Sequence, residues 1–580
     1  MTREDVASAL EEIGVLLELQ GESSFRTNSY RNAARALSQM QEELKAIVEA
    51  GKLGDVPGIG DSMRSKIETM VKTGSLPQLE ELRSKVPPGL LQMLKLPGIG
   101  PKKVKALHEE LKISDLDGLK LECEAGTVAK LKGFGAKTQD KILEGLRFLG
   151  EVGQRVRIDQ AGPIGDLILD RVSKMPGVVR ATLCGSLRRR RETAKDIDLV
   201  ASAADAKPVM EAFCKQPEVM QVIGHGDTKS SIVFGMNVEG HKVVMNADLR
   251  VVTDDVFAFA VMYLTGSKDH NIKMRQRAID RGLSLNEYGL TGGKKPLKCA
   301  DEAAIYKVLD LPYIPPELRE DTGELDAAEK DELPTLIEVG DIRGVFHNHT
   351  TYSDGVASLE QMALACKKLG LEYFGVGDHS QSLKIANGMS IATVKKQHQE
   401  IDEVNSRLKG VQILKGIECD ILEDGSLDYP DEVLASFDYV VVSVHTLFGL
   451  SPDAQTARVC KALAHPATTM LGHATGRLLL RREGYKIDLD QVLKAAAKHG
   501  KMIEINANPY RLDLDWTHVK RAKALGIPLV INPDAHAEAE LAYFTYGVDV
   551  ARRGWLEKKD VFNTRSLKEV VREFERRKQS

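Results

Sequence analysis

The 580-residue chain is 42% hydrophobic and 28% charged, a balance that excludes a fibre or a disordered tail and allows roughly three to five packed domains. Its formal net charge of -4 excludes a global positive field, so any nucleic-acid surface has to be local. The seven cysteines contain no CxxC pair, which argues against a disulfide framework or a thiolate zinc site and suits a reducing cytosol; no apolar signal segment and no spanning apolar run is present, so neither secretion nor membrane insertion is read.

In chain order, the first 150 residues read as short helices with glycine-rich corners. VPGIGDSMRSKI (56–67), LPGIGPKKVKAL (96–107) and LKGFGAKTQDKI (131–142) repeat one pattern: Gly-x-Gly, at Gly58/Gly60, Gly98/Gly100 and Gly133/Gly135, then a helix-like stretch carrying a cation. Such a turn aims backbone amides at a phosphate and reads no bases. The plain alternative is a turn between packed helices, which a threefold repeat with neighbouring cations makes less attractive.

From about 160 to 255, VVRATLCGS, SSIVFGM and KVVMNADLRVV have the β-branched, partly alternating look of strands. Within GSLRRRRETAKDIDLV (185–200), period-2 geometry puts Asp196 and Asp198 on one strand face, with Ile197 and Leu199 opposite. Asp248, after another apolar run, is a third carboxylate able to meet them across a sheet. Three carboxylates can hold two Mg²⁺ ions about 4 Å apart, one activating a hydroxyl and one carrying a triphosphate. Alone, D-x-D is a weak signal and reads more readily as a solvated charged face. Gly185 and Ser186 offer a turn amide and a hydroxyl to phosphate, and Arg189 offers a fork of donors.

Residues 256–316 look mixed. ELREDTGELDAAEKDEL (317–333), with eight acidic residues and two basic ones, reads as part of an acidic linker over 317–341. Beyond it, short apolar runs end in polar residues: GVFHNHT, YFGVGDHS, QILKGIECD, YVVVSVH, TMLGHATG, MIEINANPY and PLVINPDAH. Seven buried strands with reactive groups at one end describe a β/α barrel with its site at the C-terminal rim, an open α/β sheet remaining the alternative. His347, His349, Asp354, His379, Glu418, His445, His473, Asp534 and His536 would converge there. That mixed N/O set suits Mn²⁺, Zn²⁺ or iron and is too large for one ion. Asp378 would support His379, and Asn508 and Arg511 would hold substrate phosphate.

The three Gly-x-Gly segments resemble helix-hairpin-helix motifs, and the first also resembles the small N-terminal domain of family X DNA polymerases. That resemblance implies 5′-phosphate contacts at Arg26 and Tyr30 and a Schiff-base lysine at Lys66, which read locally is equally a solvated helix cation. GS ten residues before DIDLV, followed by YLTGSKDHNIKMR (263–275) and Asn286-Glu287-Tyr288, resembles the palm and nucleotide-selection stretches of the same family. It implies that Tyr263 and Gly266 line the incoming sugar, Asn271 meets the minor-groove edge, Arg275 supports the template side and Arg250 partners the acids. Two departures stand out. Arg190 and Lys195 occupy positions where most members carry glycine, and Lys195 either charges the nucleotide pocket or extends to solvent.

The rim constellation resembles the PHP (polymerase and histidinol phosphatase) domain of bacterial family X enzymes. The expected architecture is multidomain: helix-hairpin-helix domains over 1–80 and 81–150, an α+β nucleotidyltransferase palm over 151–255, a thumb over 256–316, the linker, and a seven-stranded PHP barrel over 342–575. The resemblance implies two Mg²⁺ in the palm and two or three Mn²⁺ or Zn²⁺ in the barrel. Gapped or primer-template DNA with a 5′-phosphate and dNTPs are the expected partners, with no membrane, a monomer favoured, and a cytoplasmic, nucleoid-associated location. The expected activity is gap-filling synthesis in repair joined to 3′→5′ exonuclease, with abasic-site endonuclease or lyase action as additions. Two rivals remain: a phosphoesterase whose palm only binds DNA, and a non-catalytic end-binding scaffold.

Overall fold

A computed structural model describes residues 3–39, 44–56, 58–74, 76–94, 96, 99–151, 155–292 and 295–579. The chain divides into two compact units, Met1–Gly153 and Gln154–Ser580. The first is helical. Apolar residues at helical spacing in Arg3–Leu19 (Val6, Leu10, Ile13 and Leu17) pack with Ala33 and Leu37 of Ser24–Gln39 and with Ile67 and Met70 of Asp61–Thr73. The three glycine corners open the helices Asp61–Thr73, Pro101–Leu111 and Ala136–Glu151 in one way. The second glycine's carbonyl accepts from the amides three and four residues on: Met63 and Arg64 at Gly60, Lys103 and Val104 at Gly100, Thr138 and Gln139 at Gly135. The sequence repeat is therefore a repeat of this hydrogen-bond pattern, which Gly135 reaches at φ +84° and Gly60 and Gly100 from extended backbone.

The second unit opens with a five-stranded sheet: β1 (Val178–Leu183), β2 (Asp196–Ala203), β3 (Val219–His225), β4 (Lys229–Val238) and β5 (His241–Val252), in the order β1-β2-β5-β4-β3. Only β2 and β5 run parallel. Ile197, Leu199 and Ala201 point into a core with Ile164 and Ile168 of helix Ile158–Ser173 and Phe213 of Ala206–Cys214, so the alternate residues Asp196 and Asp198 take the other face. Helices Phe257–Thr265 and Lys268–Ile279 and a small antiparallel sheet follow.

The C-terminal part has parallel strands β6 (Gly344–Asn348), β7 (Tyr373–Val376) and β8 (Gln412–Leu414) in one sheet. A second holds β9 (Gly416–Asp420), β10 (Tyr439–Ser443), β11 (Met470–Leu471), β12 (Met502–Asn506) and β13 (Leu529–Asn532). The run QILKGIECD breaks at Lys415, so its halves serve different sheets. The gaps between the sheets are spanned. His379 bridges to Glu418, and the Asn563 amide bonds Gly344 O at 2.9 Å and both backbone groups of Ile531. Phe346, Tyr373, Tyr439 and Met470 pack beneath the C-terminal helix Leu567–Gln579 through Phe574.

The stretch 317–341 is folded and not a linker. Arg319 and Glu324 are fully buried, and most of the acids that suggested a solvated tether meet a cation: Glu317 with Arg552, Glu320 with Arg189, Arg191 and Arg553, Asp321 with Lys273, and Glu329 with Arg277, while Asp326, Asp331 and Glu332 are exposed. Acidic composition predicts solvation only when no surface of matching charge receives it.

Candidate active sites

Parallel pairing of β2 with β5 sets Asp198 directly opposite Asp248, and Asp196 lies two residues back on the same face. Burial first, and then the Asp196 and Asp248 charges, push Asp198 up to about 7. Lys229, on β4, has Nζ 2.7 Å from Asp248 Oδ2 and supplies a local counter-charge. The turn before these acids must be glycine: Gly185 has φ +59° and a Cβ there would meet Asp198 Oδ2 at 2.1 Å. Three converging carboxylates, one strongly destabilised as an anion, fit hard divalent cations such as Mg²⁺.

The flanking residues depart from expectation in places. Arg189 does not face open solvent beside the acids. It is buried, with Nε 3.0 Å from Glu320 Oε1 and Nη1 donating to Thr265 O at 2.8 Å, because the folded 317–341 stretch brings Glu320 to it. It thus ties the Gly185-Ser186 turn to the Thr265-Gly266 turn. Arg190 has φ +56° and lies 3.7 Å from Asp549. Lys195 is exposed. Asn271 Nδ2 donates to Tyr263 O at 2.6 Å and Gly266 O at 3.3 Å, while its buried Oδ1 has no hydrogen-bond partner. Arg275 is half-buried on the same helix as Asn271. Arg250 meets Glu287 (3.7 Å) and Tyr288 Oη (3.5 Å), which draw it to the thumb hairpin instead of the aspartates.

At the barrel rim, all nine expected side chains come together in four overlapping groups whose ligand atoms lie within 4.8 Å of one another. These are His349, Asp354, His379 and His536; His347, His349 and Asp534; His347, Glu418 and His473; and His379, Glu418 and His445. His347 and Asp534 take φ of +55° and +52°, local strain that turns them to the centre. Burial, then the His536 and His379 rings, pull His349 down to about 3. Against burial, Glu418 and Asp354 raise His379 to about 10, and Glu418 and Asp420 raise His445 to about 9. Glu418 is held well below the usual carboxylate range, burial being outweighed by His445, His347 and His379. Ring nitrogens of His347, His349, His379 and His473 are buried without a hydrogen-bond partner. Orphaned imidazole nitrogens facing carboxylates are what divalent-metal ligation requires, so the donor set fits.

Several supporting residues escape sequence reasoning. Glu504 takes His347 Nδ1 at 2.6 Å and the His473 amide at 3.1 Å, and is held by Asn506 and Asn532. An acid in the middle of the apolar strand MIEIN was its available signal. Asp420 meets His445 Nδ1 at 2.5 Å. Asp378 does not support His379. Its carboxylate accepts from Thr350 N, Thr350 Oγ1, Ser353 Oγ and Gln397 Nε2 at 2.5–2.7 Å, because the 350–353 loop folds over it. Arg511 Nε lies 3.4 Å from Asp534, whereas Asn508 Oδ1 caps the Tyr510 amide within its own turn.

In the first unit, Lys66 Nζ donates to Tyr30 Oη at 2.5 Å and lies over that ring, and Tyr30 is buried, which turns it from a surface contact into a support for the lysine. Arg26 is exposed and bound to Glu22 at 2.8 Å. Gly58, Gly133 and Gly135 have positive φ; Gly60 and Gly100 are extended N-caps; Gly98 lies outside the described residues.

Comparison with known proteins follows the same division. The helix-hairpin-helix domain family matches residues 1–76, the SAM-like helix-hairpin-helix tandem 90–147, the DNA polymerase beta thumb 260–320 and the PHP domain 346–508. A probable phosphatase of Thermoanaerobacter sp. is 28% identical over 244 residues, 40% of this chain and 95% of its own. DNA polymerase lambda of Rattus norvegicus is 24% identical over 344 residues, 54% of this chain and 56% of its own. The DNA polymerase/3'-5' exonuclease PolX of Bacillus subtilis is 41% identical over 574 residues, covering 98% of this chain and 99% of that one. With both centres in place along that full length, the chain belongs to the bacterial family X DNA polymerases that carry a C-terminal PHP domain.

Proposed function

We propose that this chain fills short gaps in damaged DNA, adding dNMP to a primer 3′-OH, and that its PHP centre removes nucleotides or phosphate from 3′ ends. The observation that carries the reading is the coexistence, in one compact unit, of the three-aspartate face and the nine-ligand rim. Asp196, Asp198 and Asp248 would hold two Mg²⁺, which supply an acidified primer hydroxyl and a neutralised triphosphate. The Gly185 turn amide and the Ser186 hydroxyl receive phosphate, and exposed Lys195 adds charge beside Asp196. Tyr263 and Gly266 border the sugar, with Asn271 fixing their backbone, and Arg275 supports the template side. Arg189 acts by position, locking the two turns together.

At the rim, His347, His349, Asp354, His379, Glu418, His445, His473, Asp534 and His536 would hold two or three Mn²⁺ or Zn²⁺, and Arg511 orients the scissile phosphate. The glycine corners grip DNA backbone, Arg26 takes the 5′-phosphate, and Lys66, supported by Tyr30, is the nucleophile available for lyase chemistry. The working state is a monomer in the cytoplasm, on the nucleoid.

One gapped-DNA gel with Mg²⁺ or Mn²⁺, with and without dNTPs, tests both centres. Asp198→Ala is expected to abolish extension while leaving 3′ trimming, and His349→Ala the reverse; extension that survives Asp198→Ala would overturn the palm assignment. The contact of Lys229 with Asp248 favours a second reading, in which the palm only binds DNA; absence of wild-type extension on that gel would select it.

A further inference from the structure

A row of arginines spans the seam between the palm and the barrel. Arg155 directly precedes the short strand Val156–Arg157, which Arg157 ends. Arg155 donates to Thr193 Oγ1 at 2.7 Å and Thr193 O at 2.5 Å, in the segment that leads to Asp196, and is exposed. Arg157, pinned by Asp159 at 2.8 Å, lies 3.6 Å from the centroid of the Tyr510 ring, and Arg481 lies 4.6 Å from the same ring. Tyr510 adjoins Arg511, which reaches Asp534 of the metal rim. Arg482 follows Arg481, exposed, with Nη2 on Gly476 O.

Among the described residues, Arg155, Arg481 and Arg482 have no carboxylate within ion-pair distance, although the chain as a whole is slightly acidic. Neither centre uses them as ligands. Unneutralised guanidiniums held on stacked and backbone contacts, running from the neighbourhood of Asp196 to that of Asp534, complement a polyanion lying along the seam. An unpaired strand, whose backbone can bend to follow irregularly placed cations, suits such a row better than a rigid duplex does.

We infer that this arginine row is a track that carries an unpaired DNA 3′ tail between the palm and the PHP centre without release of the DNA, an inference that rests on the proposed activities of both centres. Arg155, Arg481 and Arg482 contact the phosphates, and the Arg157–Tyr510 stack fixes the floor of the track. The test uses the full chain on gapped DNA whose primer ends in a short mismatched tail, bound first and then started with metal and dNTPs together with excess heparin as a trap. Wild type is expected to trim and extend within one encounter. In the triple variant Arg155→Ala/Arg481→Ala/Arg482→Ala that product is expected to fall about tenfold. Multiple-turnover extension of a matched primer, and hydrolysis of bis-p-nitrophenyl phosphate at the PHP centre, should stay within about twofold, which also shows that the variant is folded. The track is overturned if the variant keeps the single-encounter product, if matched extension falls in parallel with it, or if wild type gives none under the trap while both separate activities are present. Absence of either separate activity from wild type would overturn the reading of the centres, and the track with it.

Discussion

Arg190 stands where the family resemblance leads one to expect glycine, and its φ of +56° keeps a backbone shape that glycine adopts freely, at a cost of about 1 kcal/mol. Its guanidinium reaches Asp549, on the barrel helix Phe544–Arg553. Burial pushes Asp549 up to about 6, with Arg190 opposing the shift. A carboxyl raised above its unfolded value holds its proton more tightly when folded. Its contribution to stability therefore falls as pH climbs from about 4 to 6 and stays unfavourable above that. Asp549→Asn is accordingly expected to raise stability by about 1–2 kcal/mol at pH 7.5. The gain should shrink steadily below pH 6 in thermal melts. An equal gain at pH 7.5 and pH 5 would show that Asp549 does not titrate in this window.

The element whose behaviour departs most from its composition is the acidic stretch after residue 316. Glu324 accepts from the Asp321 and Thr322 amides at 2.9 and 2.7 Å and meets His270 Nδ1 at 2.7 Å, while His270 Nε2 meets Tyr306 Oη at 3.1 Å. His270 neighbours Asn271 on helix Lys268–Ile279, so this short segment braces the helix that carries Asn271 and Arg275, the residues proposed to serve the nucleotide and template. Glu324→Ala leaves two amides and a buried imidazole without their acceptor, an expected loss of about 2–3 kcal/mol. The consequence to measure is a raised KM for dNTP with PHP hydrolysis unchanged. If only global stability moves, the brace is structural and has no bearing on the pocket.

At the scale of the second unit, palm, thumb and barrel are joined by a buried ionic junction. Arg553, fully buried on the barrel helix, reaches Glu192 of the palm at 2.8 Å and Glu320 at 3.3 Å, and Glu320 also takes Arg189 and Arg191. Removing one partner from such a junction strands the others without solvent. Arg553→Ala is therefore expected to cost about 3–5 kcal/mol, and the added loss of the Glu192 charge to restore part of it, since Glu320 keeps Arg189 and Arg191. Denaturant unfolding of Arg553→Ala and of Arg553→Ala/Glu192→Gln measures this; a single variant as stable as wild type would show that the junction is water-filled.

What the sequence determined by itself was whatever depends on local periodicity: the three glycine corners, the shared face of Asp196 and Asp198, and the placing of nine ligands at the ends of apolar strands. Each follows from the pitch of a helix or the pleat of a strand, which neighbouring residues dictate. Long-range pairing decided the rest. Whether Asp248 met Asp198 depended on a parallel register that no local signal encodes. Composition also could not say which cations would receive the acids of 317–332, and those cations lie on the palm, the thumb and the barrel. The same limit hid Glu504 and Asp420, whose roles come from the histidines that folding places against them. Charge pairing acts through space, and only the tertiary structure sets those distances.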